Sequence, residues 1–300
     1  MRKSLLSLAV LSVLAIPSVS FAENADAPAV EATPDWTFPM SVSVVSDYIF
    51  RGQSQTWGKP AAQFSAEADH KSGLYAGFFI SNVSDNWLPG ASVETDLYAG
   101  FRGNLPGAAK DVAFDAGAIY YAYPGANWDE SPFVGSNKSN SLNTLEAYIG
   151  LTYKMLNFKT GRTLTEYFGW NDNNSAPASE VTNAGVGDFF GDPKAGVRGN
   201  TRGSYFYEVN LNYEVAPSWN VIGQLGEQVV AESHGLDITY YKLGVTKAFA
   251  NGWSVGGFYS ATNEPDAYKN FVSLDDGVAH PNHDSDIAKD KVFVTVSKAF

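Results

Sequence analysis

Residues 204–215, SYFYEVNLNYEV, sort into two sets when every second position is taken. Tyr205, Tyr207, Val209, Leu211, Tyr213 and Val215 fall on one side. Phe206, Glu208, Asn210, Asn212 and Glu214 fall on the other. A β-strand alternates its side chains between two faces, so this spacing describes a strand with an apolar and a polar face. A helix would scatter the same residues around its circumference. The apolar face is aromatic at both ends and aliphatic between, the order of a strand whose rings sit at two lipid–water interfaces. A strand like this leaves two folds open. It can pack its apolar face into a soluble sandwich, or show that face to lipid.

The start of the chain favours export. Arg2 and Lys3 precede an apolar stretch over 5–16 that Pro17 ends, and Ser20-Phe21-Ala22 fits a small-x-small cleavage rule. Residues 1–22 are therefore expected to be a removed signal peptide; the stretch is too short for a comfortable membrane anchor. Removing Arg2 and Lys3 from the 20 basic residues leaves 18 against 32 acidic ones, a net charge of −14. That balance argues against a nucleic-acid partner, which needs a basic footprint. There is no cysteine, so disulfides and thiolate metal sites are excluded. The 16 Tyr and 7 Trp recur in alternating segments, and no later apolar run could form a spanning helix. Together these point to an outer-membrane β-barrel.

Residues 23–36, rich in Ala, Pro and Glu, read as a flexible periplasmic lead-in, and 37–300 as a single barrel. Twelve alternating segments follow, with ten to fourteen as the bracket. In the first, Val42, Val44, Tyr48 and Phe50 are expected outside, and Ser41, Ser43, Asp47 and Arg51 inside. The seventh, near 158–168, has no register that the sequence fixes. Connections after strands 2, 6, 8 and 10 are very short. Those at 124–141, 171–202 and 262–289 are long and polar. Outer-membrane barrels have short periplasmic turns and long external loops, so both termini are expected in the periplasm. The soluble sandwich would leave the outward Tyr, Phe and Leu of twelve strands uncovered.

A short repeat, LYAGF at 74–78 and 97–101, puts Tyr and Gly on the inner face in both copies. Such glycines, with Gly150 and Gly244, read as bending points that a neighbouring ring can cover.

The run SDYIFRGQSQT at 46–56, followed by Pro60-Ala61, Gln63, SGLYAG at 72–77, Ser81-Asn82-Val83 and ETDLYAG at 94–100, resembles a proteobacterial family called Gcw_chp, also described as TorF-type porins. The likeness is dense over 41–102 and weaker through 146–153 to Phe300. Phe64 and Phe78-Phe79 depart mildly from the expected pattern. The resemblance implies an outer-membrane β-barrel, and it carries over no catalytic residue. The ending Lys298-Ala299-Phe300 resembles the terminal aromatic signal read by the barrel-assembly machinery.

With these faces, the lumen is expected to carry Asp47, Glu67, Asp69, Glu94, Asp96, Asp115, Glu146, Glu208 and Glu214, with Arg51, Arg102 and Lys242 as the bases. Carboxylate rings attract cations, so one reading is a porin-like channel passing small ions or polar solutes with a mild cation preference. The other pairs Arg51 and Arg102 with Asp47, Glu67 and Glu94, giving a closed, ion-paired interior whose work is done by external loops. Eight strands leave room only for side chains and sixteen leave a channel, so twelve does not decide. Phe133, Trp170, Phe189 and Phe190 could offer contacts in a receptor.

A barrel hydrolase would need a nucleophile beside a His held by an acid, for which His70, His234, His280 and His283 are the only imidazoles. His280, His283, Asp284 and Asp286 suit Zn²⁺ chemically, and Asn171-Asp172-Asn173-Asn174 could touch Ca²⁺, but neither spacing makes a site. No cofactor and no catalytic residue is expected. The expected partners are membrane lipid, the assembly machinery and small polar or cationic solutes.

Overall fold

The computed structural model describes residues 34–134, 140–180, 189–277 and 286–300. The expected signal peptide, most of the lead-in, and His280 and His283 lie outside them. Twelve antiparallel strands form the wall: β1 Met40–Val45, β2 Ala61–His70, β3 Leu74–Asn82, β4 Val93–Asn104, β5 Val112–Ala122, β6 Thr144–Tyr153, β7 Leu156–Thr163, β8 Tyr205–Ala216, β9 Trp219–Val229, β10 Ile238–Ala248, β11 Trp253–Thr262 and β12 Lys291–Ala299. Each pairs with its neighbours in sequence, and β12 pairs with β1, so the sheet closes and no edge stays unpaired. β1 is shorter than β2, and Trp36–Thr37 continues the ladder against Asp69 and His70. None of the described helices is long and apolar enough to cross a membrane.

Alternation sets the faces. Along β8, Tyr205, Tyr207, Val209 and Tyr213 are exposed while Phe206 and Glu208 are buried inward. Leu243 and Val292 stand 60% and 77% exposed on the outside of β10 and β12. An apolar band of this extent has no place in water and is what hydrocarbon requires of a barrel exterior.

Connections alternate round the wall. Residues 71–73, 105–111, 154–155, 217–218 and 249–252 form one rim of short turns. Lys154, Ser218 and Asn251 take the positive φ these turns need. The other rim carries the long loops.

The LYAGF repeat works as a reciprocal cross-strand device. Tyr75 pairs with Gly100, and Gly77 with Tyr98. The hydroxyl end of each ring lies over the partner glycine: a Cβ on Gly77 would sit 2.5 Å from the Tyr98 Oη. Gly117 takes Tyr148 and Gly226 takes Tyr240 in the same way, while Gly244 takes Phe258. Gly150 instead faces the Asn157 amide.

Two expectations about elements are corrected. The first strand ends at Val45; Tyr48 and Phe50 are not lipid-facing but 2% and 3% exposed inside the barrel. The chain turns inward there, pairing Ile49–Phe50 with Gln53–Ser54 around Arg51 and Gly52. Both tip residues have positive φ, as a two-residue hairpin turn demands. A Cβ on Gly52 would meet Tyr240 Cβ at 2.9 Å, so only glycine fits. The seventh strand ends at Thr163, and Tyr167–Gly169 is a buried 3₁₀ turn. Aromatic residues continue past each strand end, so alternation alone does not mark where the wall stops.

Candidate functional site in the barrel interior

The inward faces carry three tiers of polar contacts. Nearest the short-turn rim, Arg102 Nη2 donates to Glu67 Oε1 at 2.7 Å, lies 3.6 Å from Asp69 Oδ1, and stacks 3.7 Å over the Tyr75 ring. The Tyr75 hydroxyl donates to Asp115 Oδ1 at 2.6 Å and lies 2.6 Å from the Tyr148 hydroxyl. Lys159 covers the Tyr148 ring at 4.1 Å. Most of these side chains keep partial solvent access.

The middle tier centres on Glu208. Its carboxylate accepts from Tyr240 Oη at 2.9 Å, Gln224 Nε2 at 3.1 Å and Asn210 Nδ2 at 3.0 Å. Lys242 is the cross-strand partner of Gln224 on the same face.

The third tier is built by the inward hairpin at 49–54. Arg51 donates to both oxygens of Glu146, at 2.8 and 3.1 Å, and to Gln228 Oε1 at 2.5 Å. Its guanidinium lies 3.8 Å over Phe206. Asp47 accepts from Ser54 Oγ at 2.6 Å and Thr56 Oγ1 at 3.0 Å, and Lys291 Nζ stands 3.3 Å away. These bonds fasten the hairpin at both ends.

Glu94 and Asp96 lack such a match. They are 2% and 1% exposed, at i and i+2 on the inner face of β4. Tyr48 donates to Glu94 Oε1 at 3.4 Å. Glu94 Oε2 and both Asp96 oxygens find no hydrogen-bond donor. A buried acceptor without a donor costs about 1–3 kcal/mol, and an ionised one more.

Above this tier the long loops share an apolar core that crosses the mouth. Trp57, Trp87, Trp128, Trp170, Phe189 and Phe271 interlock edge-to-face or stacked. Leu236, Leu274 and Ile287 fill between them at 0% exposure. Each fully buried Phe or Leu contributes about 1.5–3 kcal/mol. Trp170, Phe189 and Phe190 are therefore core residues, not the exposed contacts expected of a receptor; Phe133 packs against the same core. These rings have no lipid-facing wall to sit on, so they bury one another. Tyr268 donates to Leu236 O at 2.7 Å within the core, where burial pushes its hydroxyl well above the ordinary range. Burial also raises the Asp237 carboxyl, partly offset by the Val230 N–H it accepts from at 2.8 Å, with Glu227 raising it further.

Of the expected lining residues, Asp47, Arg51, Glu67, Asp69, Glu94, Asp96, Arg102, Asp115, Glu146 and Glu208 all lie on the inside. Glu214 is exposed at the strand end, where it accepts from Ser218 N at 2.9 Å. Arg102 takes Glu67 as expected, but Arg51 takes Glu146 rather than Asp47 or Glu94. Lys159 and Lys291 were missed. Pairing the short 154–155 turn backward along β7 would have placed Lys159 opposite Gly150, inside.

His70 Nδ1 lies 2.8 Å from Ser72 Oγ within a turn, its ring against Trp36, and His234 sits in a two-residue ladder with Gly196. Neither makes a hydrogen bond to a carboxylate among the described residues. The Asn171 and Asn174 amides hold their own loop, donating to Glu166 and Gly169. No group of three or more metal-ligating side chains occurs among the described residues.

A family model described as "Bacterial protein of unknown function (Gcw_chp)" matches residues 29–300. No functionally curated protein matches the sequence. Among solved structures, the KdgM porin in complex with disordered oligogalacturonate aligns at TM-score 0.47 and 7% identity, covering 87% of this chain and 99% of that one. The COG4313 outer membrane channel from Pseudomonas putida F1 aligns at TM-score 0.46 and 11% identity, covering 92% and 100%. A TodX deltaS2S3 mutant monoaromatic hydrocarbon channel aligns at 0.42 and 12%, covering 89% of each.

Proposed function

Because the chain belongs to the Gcw_chp family, whose function is unknown, its role is read from its geometry, and we propose that it is a porin-like outer-membrane channel for small ions or polar solutes. The observation that carries this is the contrast between its two faces. The exterior is apolar, while the short-turn half of the interior holds Arg102, Glu67, Asp69 and Asp115 with partial solvent access, beside the buried Tyr75, Tyr148 and Lys159. A wall that served only to fill space would not need so many ionised groups. Carboxylates outnumber bases on that face, which gives a mild cation preference.

In this reading the short-turn rim and both termini face the periplasm, and the loop core faces outward. The Phe300 side chain, 68% exposed beside a strand-end backbone bond to Met40 O, supports its reading by the assembly machinery. The chain reaches the membrane through its leader, and fractionation with heat-modifiable gel mobility checks that placement.

Among the described residues, the 46–57 segment and the loop core fill the long-loop end of the interior with buried side chains. That filling favours a second reading, a barrel with a sealed, ion-paired interior acting through its loops. Planar-bilayer recording separates the two. Cation-preferring steps support the channel, with reversal potentials that lose their preference in Glu67→Gln/Asp69→Asn. A silent membrane, or anion preference, rejects it.

A further inference from the structure

The lipid-facing surface is not uniform from rim to rim. On β9–β12 at the short-turn rim, two outward lysines each sit opposite an outward tryptophan. Lys247 is the cross-strand partner of Trp219, and Lys298 that of Trp253. Both tryptophans and Phe249 are about half exposed, and Phe300 beside them is more so. Lys247 Nζ lies 5.1 Å from the Trp219 ring centre, and Lys298 Nζ lies 5.1 Å from that of Phe300. The ammonium groups bend toward the turns, donating to Pro217 O and Asn251 O. An ammonium has three donors, so each keeps capacity for another acceptor.

The outward positions around them on β8–β12 and β1 are Tyr213, Val215, Val221, Val245, Val255, Val296, Met40 and Val42, with no carboxylate among them; the exposed carboxylate of this rim, Glu214, is held by the Ser218 N–H of the 217–218 turn. The opposite rim carries the reverse sign. There Glu227 and Asp290 face outward, accepting from the Tyr207 and Tyr259 hydroxyls. The two rims of one lipid-facing strip thus differ in charge, positive at the turns and negative at the loops.

We propose that Lys247 and Lys298, with Trp219 and Trp253, form a binding site for the headgroup phosphate of an anionic phospholipid in the periplasmic leaflet. Aromatic rings at headgroup depth supply the apolar floor, and the snorkelled ammonium groups meet the phosphate at the boundary. The two lysines are two strands apart, about 10 Å across the sheet, within reach of one headgroup for side chains of this length. A neutral lipid gains the floor but not the charge. The site rests on the orientation given above, with the short turns in the periplasm.

The test is native mass spectrometry of the full-length protein in detergent, titrated separately with phosphatidylglycerol, phosphatidylcholine and lipid A. Each lysine is expected to contribute about five-fold in affinity. Phosphatidylglycerol should therefore bind about 25-fold tighter than phosphatidylcholine. Lys247→Gln/Lys298→Gln should erase the difference, and Lys247→Arg/Lys298→Arg should keep it. Both side chains are only partly buried and lie on the outer face, so heat-modifiable mobility should be unchanged in every variant. Equal binding of the two phospholipids, or a preference that survives the double glutamine variant, overturns the site. Tighter binding of lipid A through the same lysines overturns it too, and with it the orientation. Conductance recorded on the same samples reports on the channel separately, because these lysines lie outside the wall.

Discussion

Arg51 reaches Glu146 with both oxygens engaged, although one sits at a hairpin tip and the other on a wall strand. The pair is almost fully dry, with side chains 2% and 3% exposed. It is one tether between the inward hairpin and the wall, beside the Arg51 bond to Gln228. Removing one partner leaves a buried charge alone, at about 3–5 kcal/mol. Arg51→Ala should therefore lower the heat-modification midpoint and also loosen the hairpin, giving larger or more frequent conductance steps. Arg51→Ala with Glu146→Gln should recover much of the stability while keeping the conductance change. The gel shift reads the first effect and bilayer recording the second.

Asp96 offers the opposite case. Neither oxygen has a donor, and Glu94 Oε2 nearby lacks one as well. Asp96→Asn keeps the shape of the side chain and introduces an NH₂ group that can serve as donor. The variant should be more stable than the parent by about 1–2 kcal/mol in urea unfolding from detergent or lipid. A loss of stability would show that the carboxylate is used.

The ring-over-glycine pairs predict sharply local effects. Gly77→Ala would press a methyl group against the Tyr98 ring and the Ala66 carbonyl, and should cost about 1–3 kcal/mol. Gly257→Ala, on the outer face with nothing within 4 Å, should be tolerated. Comparing their gel-shift midpoints isolates the packing effect from the general effect of replacing a strand glycine.

Asp237 sits where β9 crosses to β10 and has its pKa raised, chiefly by burial. A carboxyl raised in the folded state binds its proton more tightly there than when unfolded. Its stabilising contribution is complete below the ordinary aspartate range and is lost as pH rises through the folded value. Between those values the parent should lose stability relative to Asp237→Asn as pH increases. Gel-shift midpoints of the two proteins across that window, compared as a difference, check the sign.

The wall was legible because lipid and lumen impose opposite demands on successive residues. Twelve strands and most of their faces follow from that period in segments such as 205–215, the seventh strand being the one whose register it does not fix. The sequence was silent where the period persisted without the wall. Tyr48 and Phe50 keep the spacing of lipid-facing residues, yet the chain has left the sheet at Val45. The marker is Arg51-Gly52, the positive-φ tip of the inward hairpin. The loop core was hidden for another reason. Trp57, Trp87, Trp170 and Phe271 are far apart in sequence, and scattered aromatics in polar loops carry no period that announces a shared interior. Partner choice in the lumen was hidden likewise, since alternation gives a face but not a height, and height decides that Arg51 meets Glu146.

The ladder between β12 and β1, in which Val296 lies opposite Val44, joins the first wall strand to the last. No earlier pairing can substitute for it. Until residues 291–299 arrive, every intermediate has two unsatisfied strand borders, which invite pairing with other chains. Such a contact between distant parts of the sequence forms late and slowly. The protein is therefore committed only when its final segment docks, and the interval before that seam zips is when an escort has most to protect.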